Sequence, residues 1–163
     1  MDVDNNRYQK TEELPFRIKP RPYLEVVSSQ GSAIAGKDAK LSVVVKNTGQ
    51  ESAEAVEVRI IKQSAQPFSM DVRSDYLGEL EPGEEATAVF NLGVASDAEL
   101  KEYSLKLLIR SKGDSDEGDD NIYTYTRRAQ FEVTGKANNY LLYIGIILAA
   151  IIIIAVGVRG LRK

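Results

Sequence analysis

Residues 40–60 read KLSVVVKNTGQESAEAVEVRI, and this stretch decides the fold. Leu41, Val43 and Val45 alternate with Lys40, Ser42 and Lys46, so one face of an extended segment is apolar. Asn47-Thr48-Gly49-Gln50 then breaks the pattern, with Asn and Gly both tolerant of positive φ. The alternation resumes with Val56, Val58 and Ile60 against Glu57 and Arg59. A strand, a turn and a second strand follow directly from this period of two.

The pattern repeats on both sides. Tyr23–Ser28 forms a short strand before it. After a loose stretch holding Pro67 and Met70 comes a strand at Tyr76–Leu80, then the turn Glu81-Pro82-Gly83-Glu84. Ala86, Ala88, Phe90 and Leu92 alternate next, then Leu105, Leu107 and Ile109, and Ile122–Val133 gives a long last strand. Asp97–Glu102 is the one stretch that suits a helical turn. Seven short strands at this spacing predict an all-β, immunoglobulin-like seven-stranded β-sandwich spanning 22–135. Leu41, Val43, Val45, Val56, Val58, Ile60, Phe90, Leu105, Leu107 and Ile109 should be its core, with Lys40, Glu57, Arg59 and Lys106 outside.

The C-terminal part is of another kind. Residues 140–158 read YLLYIGIILAAIIIIAVGV, apolar all round and without charge. About 19 residues at ~1.5 Å each give about 28 Å, close to the ~30 Å hydrocarbon core of a bilayer. This predicts a single C-terminal transmembrane α-helix, with 136–139 as a juxtamembrane linker. Tyr140 and Tyr143 suit the interface, and the tail 159–163 carries Arg159, Arg162 and Lys163. The basic tail is read as cytoplasmic and the sandwich as outside. Counting Lys136, Arg127 and Arg128 equalises the charge tally, which leaves a cytoplasmic, tail-anchored domain as the rival orientation.

Composition excludes several chemistries. The 163 residues carry a formal net charge of −3, and their Lys and Arg form no stripe, so no nucleic acid is expected. There is no Cys and no His, which removes disulfides, thiolate metal sites and any Ser-His or Cys-His nucleophile. Adjacent carboxylates such as Glu84 and Glu85 point apart on a strand. The chain is therefore read as not an enzyme, with no catalytic, cofactor-binding or metal residues.

Three clusters carry a sharper alternative. The acidic run Asp114-Ser115-Asp116-Glu117-Gly118-Asp119-Asp120-Asn121 offers hard oxygen ligands. Gly118 and Tyr125 stand where an EF-hand needs an oxygen ligand and a glutamate. A solvated hairpin loop is the reading adopted, and calcium at 114–120 is not expected. Arg127 and Arg128 fall on opposite faces of the last strand, an anion site being the alternative to a structural role. Tyr123 and Tyr125 share one face, for edge packing or as a binding platform.

The stretch 77–111, LGELEPGEEATAVFNLGVASDAELKEYSLKLLIRS, resembles archaeal S-layer-related repeat domains, kin to the CARDB and NEW3-type Ig-like modules. The Leu80–Glu84 turn, the alternating strand after it, the small-residue link into Tyr103-Ser104-Leu105, and the Asn47–Gly49 turn are the motifs that carry this. The resemblance covers about residues 23–133. It implies a non-catalytic, surface or S-layer-associated module and brings no active site.

Residues 4–18 echo residues 119–133 without a gap. Asp4, Asn6, Tyr8, Thr11 and Phe16 coincide with Asp119, Asn121, Tyr123, Thr126 and Phe131. A period of about 115 residues is one Ig-like unit. Residues 1–21 are accordingly read as the orphan last strand of a preceding repeat plus the linker Lys19-Pro20-Arg21-Pro22, lying outside the sandwich core. No basic start leads into an apolar run at Met1, so the true beginning is expected upstream. The function expected is a membrane-anchored cell-surface structural or adhesive module, S-layer-associated, at the C-terminal end of a tandem Ig-like array. Its partners would be the lipid bilayer, through the helix, and other cell-envelope proteins. Two other readings stay open: a cytoplasmic adaptor that binds protein motifs, and an accessory domain of a larger carbohydrate-active or transport protein.

Overall fold

The computed structural model describes residues 11–13 and 19–136. Nine strands follow in order: β1 (Leu24–Gln30), β2 (Ser32–Ala35), β3 (Asp38–Asn47), β4 (Ala53–Ile61), β5 (Phe68–Ser69), β6 (Ser74–Leu80), β7 (Glu85–Val94), β8 (Glu102–Lys112) and β9 (Ile122–Lys136). They form two sheets, one ordered β1-β3-β7-β5 and the other β2-β9-β8-β4-β6. Apolar residues at alternate positions of both sheets meet between them, as the period of two requires.

The expected core is the observed core. Leu41, Val43, Val45, Val56, Val58, Ile60, Phe90, Leu105, Leu107 and Ile109 are all buried, joined by Leu24, Leu80, Leu92 and Phe131. Lys40, Arg59 and Lys106 are exposed, while Glu57 is half-buried with Arg59 Nη2 donating to it at 2.9 Å. Phe68 meets Tyr103 at 5.0 Å and Phe131 at 5.4 Å between ring centroids, both edge to face.

Among the described residues the expectation of seven strands is corrected to nine, and both additions have a physical reason. β2 is the continuation of the first strand after it changes sheets. β1 runs antiparallel to β3, whereas β2 runs parallel to β9, with Ser32 opposite Glu132 and Ala33 opposite Val133. The switch falls at Gly31, where a Cβ would lie 2.7 Å from Phe131 Cδ2 and 3.0 Å from Lys40 O. The small residues of SAIA carry no β signature of their own. β5 is two residues long, paired as Phe68 with Val94 and Ser69 with Gly93, too short to show a period. Asp97–Glu102 makes a turn and the first residue of β8, not a helix. Ala98 N there donates to Ala95 O at 3.1 Å.

The turns 48–52 and 81–84 and the loop 113–121 gather at one end of the sandwich. The segments 36–37, 62–67 and 95–101 gather at the other. Arg21, whose carbonyl accepts from Gln50 N at 3.4 Å, brings the chain in at the first end. β9, 15 residues and therefore roughly 50 Å long, carries it out at the second, with Lys136 opposite Ala35.

The helix expected at 140–158 lies outside the described residues, as do residues 4–10 and 14–18 of the internal echo. Among the described residues no helix is long and apolar enough to cross a membrane. Thr11–Glu13, Lys19 and Pro20 are exposed.

Candidate functional site

The end where the chain enters is strongly acidic, and three separate segments make it so. β4 and the turn before it supply Glu51 and Glu54. The run from β6 into β7 supplies Glu79, Glu81, Glu84 and Glu85. The loop after β8 supplies the carboxylates between Asp114 and Asp120.

Asn47 organises the backbone beneath them. It is fully buried at the end of β3. Its Oδ1 accepts from Tyr23 N at 3.1 Å and Gly49 N at 3.0 Å. Its Nδ2 donates to Glu51 O at 2.8 Å and Leu80 O at 2.9 Å. Its carbonyl accepts from Gly83 N at 2.7 Å. One amide thus ties Tyr23 just before β1, the 48–52 turn and the end of β6. Gly83, at φ 86°, takes the left-handed conformation that closes the Glu81–Glu84 turn, where Glu84 N donates to Glu81 O at 2.9 Å. This turn links β6 to β7 and so passes from one sheet to the other.

The acidic loop folds as the turn expected of it. Asp114 Oδ1 accepts from Asp116 N at 3.0 Å and Glu117 N at 3.2 Å, and Asp114 O accepts from Asp119 N at 2.7 Å. Asp119 points inward and is fully buried. Its Oδ2 accepts from the Tyr123 hydroxyl at 2.7 Å and its Oδ1 from Asn121 N at 3.2 Å. The Tyr123 bond, with those from Asn121 and the Lys19 charge, holds Asp119 below the usual carboxylate range. Glu54 is likewise held down, first by the Ser115 hydroxyl. Lys112 bridges Asp120 at 2.7 Å and Glu54 at 3.6 Å. Among the described residues no group of three or more acidic side chains is gathered as a metal ion would require.

Glu51 differs from its neighbours. It is 6% exposed, its Oε1 accepts from Asp114 N at 3.3 Å, and its Oε2 is buried without a partner among the described residues. Burial pushes its carboxyl above the ordinary range, and the charges of Asp119 and Asp114 push the same way. It lines a cavity of about 330 Å³ with Glu81, Asp114, Glu117 and the linker residues Lys19 and Pro20. Lys19 Nζ stands 3.4 Å from Gly118 O and 3.7 Å from Asp119 Oδ1.

The other residues singled out in the sequence lie elsewhere. Tyr125 packs on Tyr23, ring centroids 5.5 Å apart and edge to face, and its hydroxyl donates to Pro22 O. Arg127 lies over both rings, 5.1 Å from Tyr23 and 5.3 Å from Tyr125, while Arg128 is exposed. Tyr123 and Tyr125 are therefore structural supports of the loop and the linker. A second cavity, of about 770 Å³, opens on the outer face of β3 and β7, between Lys40, Asn91 and the Met70–Asp75 segment. The sequence reading missed Glu51, because a glutamate in a Gly-Gln-Glu-Ser turn carries no periodic signal of burial.

The CARDB family model matches residues 21–127, from the linker into the last strand. This chain belongs to the CARDB family. A 34% identical relative, "Uncharacterized protein MJ1561" of Methanocaldococcus jannaschii, aligns over the whole of this CARDB chain, which spans 30% of that protein's length. Among solved structures, a PapD-like domain of human CEP192 shares 12% identity, with a TM-score of 0.41 over 81% of this chain and 100% of that one. Spo0M, a sporulation control protein from Bacillus subtilis, shares 10% identity, with a TM-score of 0.34 over 80% of this chain and 56% of that one. Likenesses this remote carry nothing about function.

Proposed function

We propose that this CARDB chain is a non-catalytic structural and adhesive module of the cell surface, S-layer-associated, anchored by the apolar segment 140–158 and joined in series to like units. The observation that carries the reading is geometric. The chain enters the sandwich beside Gln50 and leaves beside Ala35, at opposite ends, so units joined in series extend a stalk rather than fold back. Three further points support it. The relative from Methanocaldococcus jannaschii is much longer than this chain. Residues 4–18 echo residues 119–133. Residues 140–158 have the length and composition of a bilayer span. The work such a module does is mechanical: it spaces what precedes it from the bilayer and presents its acidic end to that neighbour.

Deleting residues 141–158 tests the anchor. The truncated protein is expected in the soluble fraction and the full chain in the membrane fraction. A truncated protein that stays membrane-bound after a carbonate wash contradicts the proposal.

A further inference from the structure

We infer that the cavity beside Glu51 is an acceptor site for a basic side chain, arginine above all, carried by a polypeptide that docks on the acidic end. The inference does not depend on the membrane anchor.

Two independent observations meet here. The first is charge. Glu81, Asp114 and Glu117 line the cavity together with Glu51, and among the described residues the cation lining it is Lys19. The second is an orphaned atom. Glu51 is 94% buried by its 6% exposure, and its Oε2 has no hydrogen-bond partner among the described residues. A buried carboxylate oxygen without a donor is costly. Nothing in the turn chemistry of residues 48–52 requires that cost, since Asn47 already satisfies Glu51 O.

The chemistry of the missing donor follows from the surroundings. A divalent ion needs several oxygens converging at 2.3–2.6 Å if it is calcium, and no such group stands among the described residues. A basic side chain asks for less. It brings its own stem to line the cavity, and its N–H groups are spread across a planar fork that reaches two carboxylates together. Lys19 shows the mode in part: its ammonium reaches Gly118 O and Asp119 from the linker, yet leaves Glu51 Oε2 unpaired. A guanidinium entering the cavity that Glu51 and Glu117 both line, with the side chains over Oε2 making way for it, supplies the donor that Lys19 does not.

The test uses the full chain in detergent micelles and two probes, the acetylated and amidated pentapeptide Gly-Arg-Gly-Arg-Gly and its citrulline counterpart, uncharged and of the same shape. Binding is read by isothermal titration and by the side-chain carboxyl NMR shift of Glu51. The arginine peptide is expected to bind and to move the Glu51 signal, and the citrulline peptide to bind at least tenfold more weakly. Glu51→Gln is expected to weaken the arginine peptide at least fivefold. Glu102→Gln, which removes an exposed charge at the opposite end of the sandwich, should change it less than twofold. Thermal melts of both variants confirm folding. Absence of binding, equal loss in the two variants, or equal binding of the citrulline peptide overturns the inference. So does calcium binding at Glu51 more tightly than the peptide, which would make the site one for a metal ion.

Discussion

Asn47 Nδ2 and the carbonyl of Leu80 lie 2.9 Å apart, 33 residues distant in sequence, and this bond pins the end of β6 against the end of β3. The same amide group serves Glu51 O, while its Oδ1 serves Tyr23 N and Gly49 N. Asn47→Ala leaves these buried backbone groups without partners, each at ~1–3 kcal/mol. The expected loss is about 3 kcal/mol or more in urea unfolding. Asn47→Asp should be no milder, because a carboxylate offers no donor to the two carbonyls. A change under ~1 kcal/mol would show that water substitutes for the amide.

Phe90, in β7 opposite Leu41 of β3, is buried at the centre of the core. Phe90→Ala should cost ~3–5 kcal/mol by the lost transfer energy and the cavity left. The matching control is Lys40→Ala on the opposite face, expected within about 0.5 kcal/mol. Equal effects for the two would mean that the register is shifted by one.

Ala55 adopts φ 51° at a bulge in β4, exposed to solvent. An L-residue there has its Cβ close to the carbonyl, at roughly 1–2 kcal/mol. Ala55→Gly should therefore stabilise the domain by about 1 kcal/mol, with the flexibility glycine adds to the unfolded chain set against it. A lower melting temperature for Ala55→Gly would show that the bulge is unstrained.

Glu51 gives a pH signature of definite sign. Its folded-state carboxyl titrates above the ordinary value, so the folded state holds the proton more tightly than the unfolded one. Its contribution is most favourable below the unfolded value and is lost as pH rises through the folded value. Glu51→Gln should accordingly raise the melting temperature at pH 7, on the order of 1 kcal/mol, and the gain should vanish in acid. Asp119 has the opposite sign, since its carboxyl is held down in the folded state. Asp119→Asn should destabilise at pH 7 and progressively less as pH falls through the Asp119 folded value. A Glu51→Gln effect that grows toward low pH would refute the assignment.

The alternation of Leu41, Val43 and Val45 with charged and polar residues made the sandwich readable, because a half-buried strand repeats every two residues. The Glu81–Glu84 turn was readable for the same reason that Pro and Gly prefer its central positions. The strand switch at Gly31 was not, since the close approach that calls for a glycine there comes from the Phe131 ring, a hundred residues away. The acidic end was legible only in part. Asp114–Asp120 announced itself as a run, but Glu51 and Glu81 join it through Asn47 and the turn between the sheets, and no local pattern marks such a meeting.

The most direct test of the proposed role is protease treatment of intact cells expressing the full chain. Carrying a small epitope at the C-terminus and probed with an antibody to the sandwich, the chain should lose its sandwich to external protease while a short tagged fragment holding residues 140–163 stays protected. Full protection of the sandwich until the cells are lysed would contradict the account and place the domain on the cytoplasmic side.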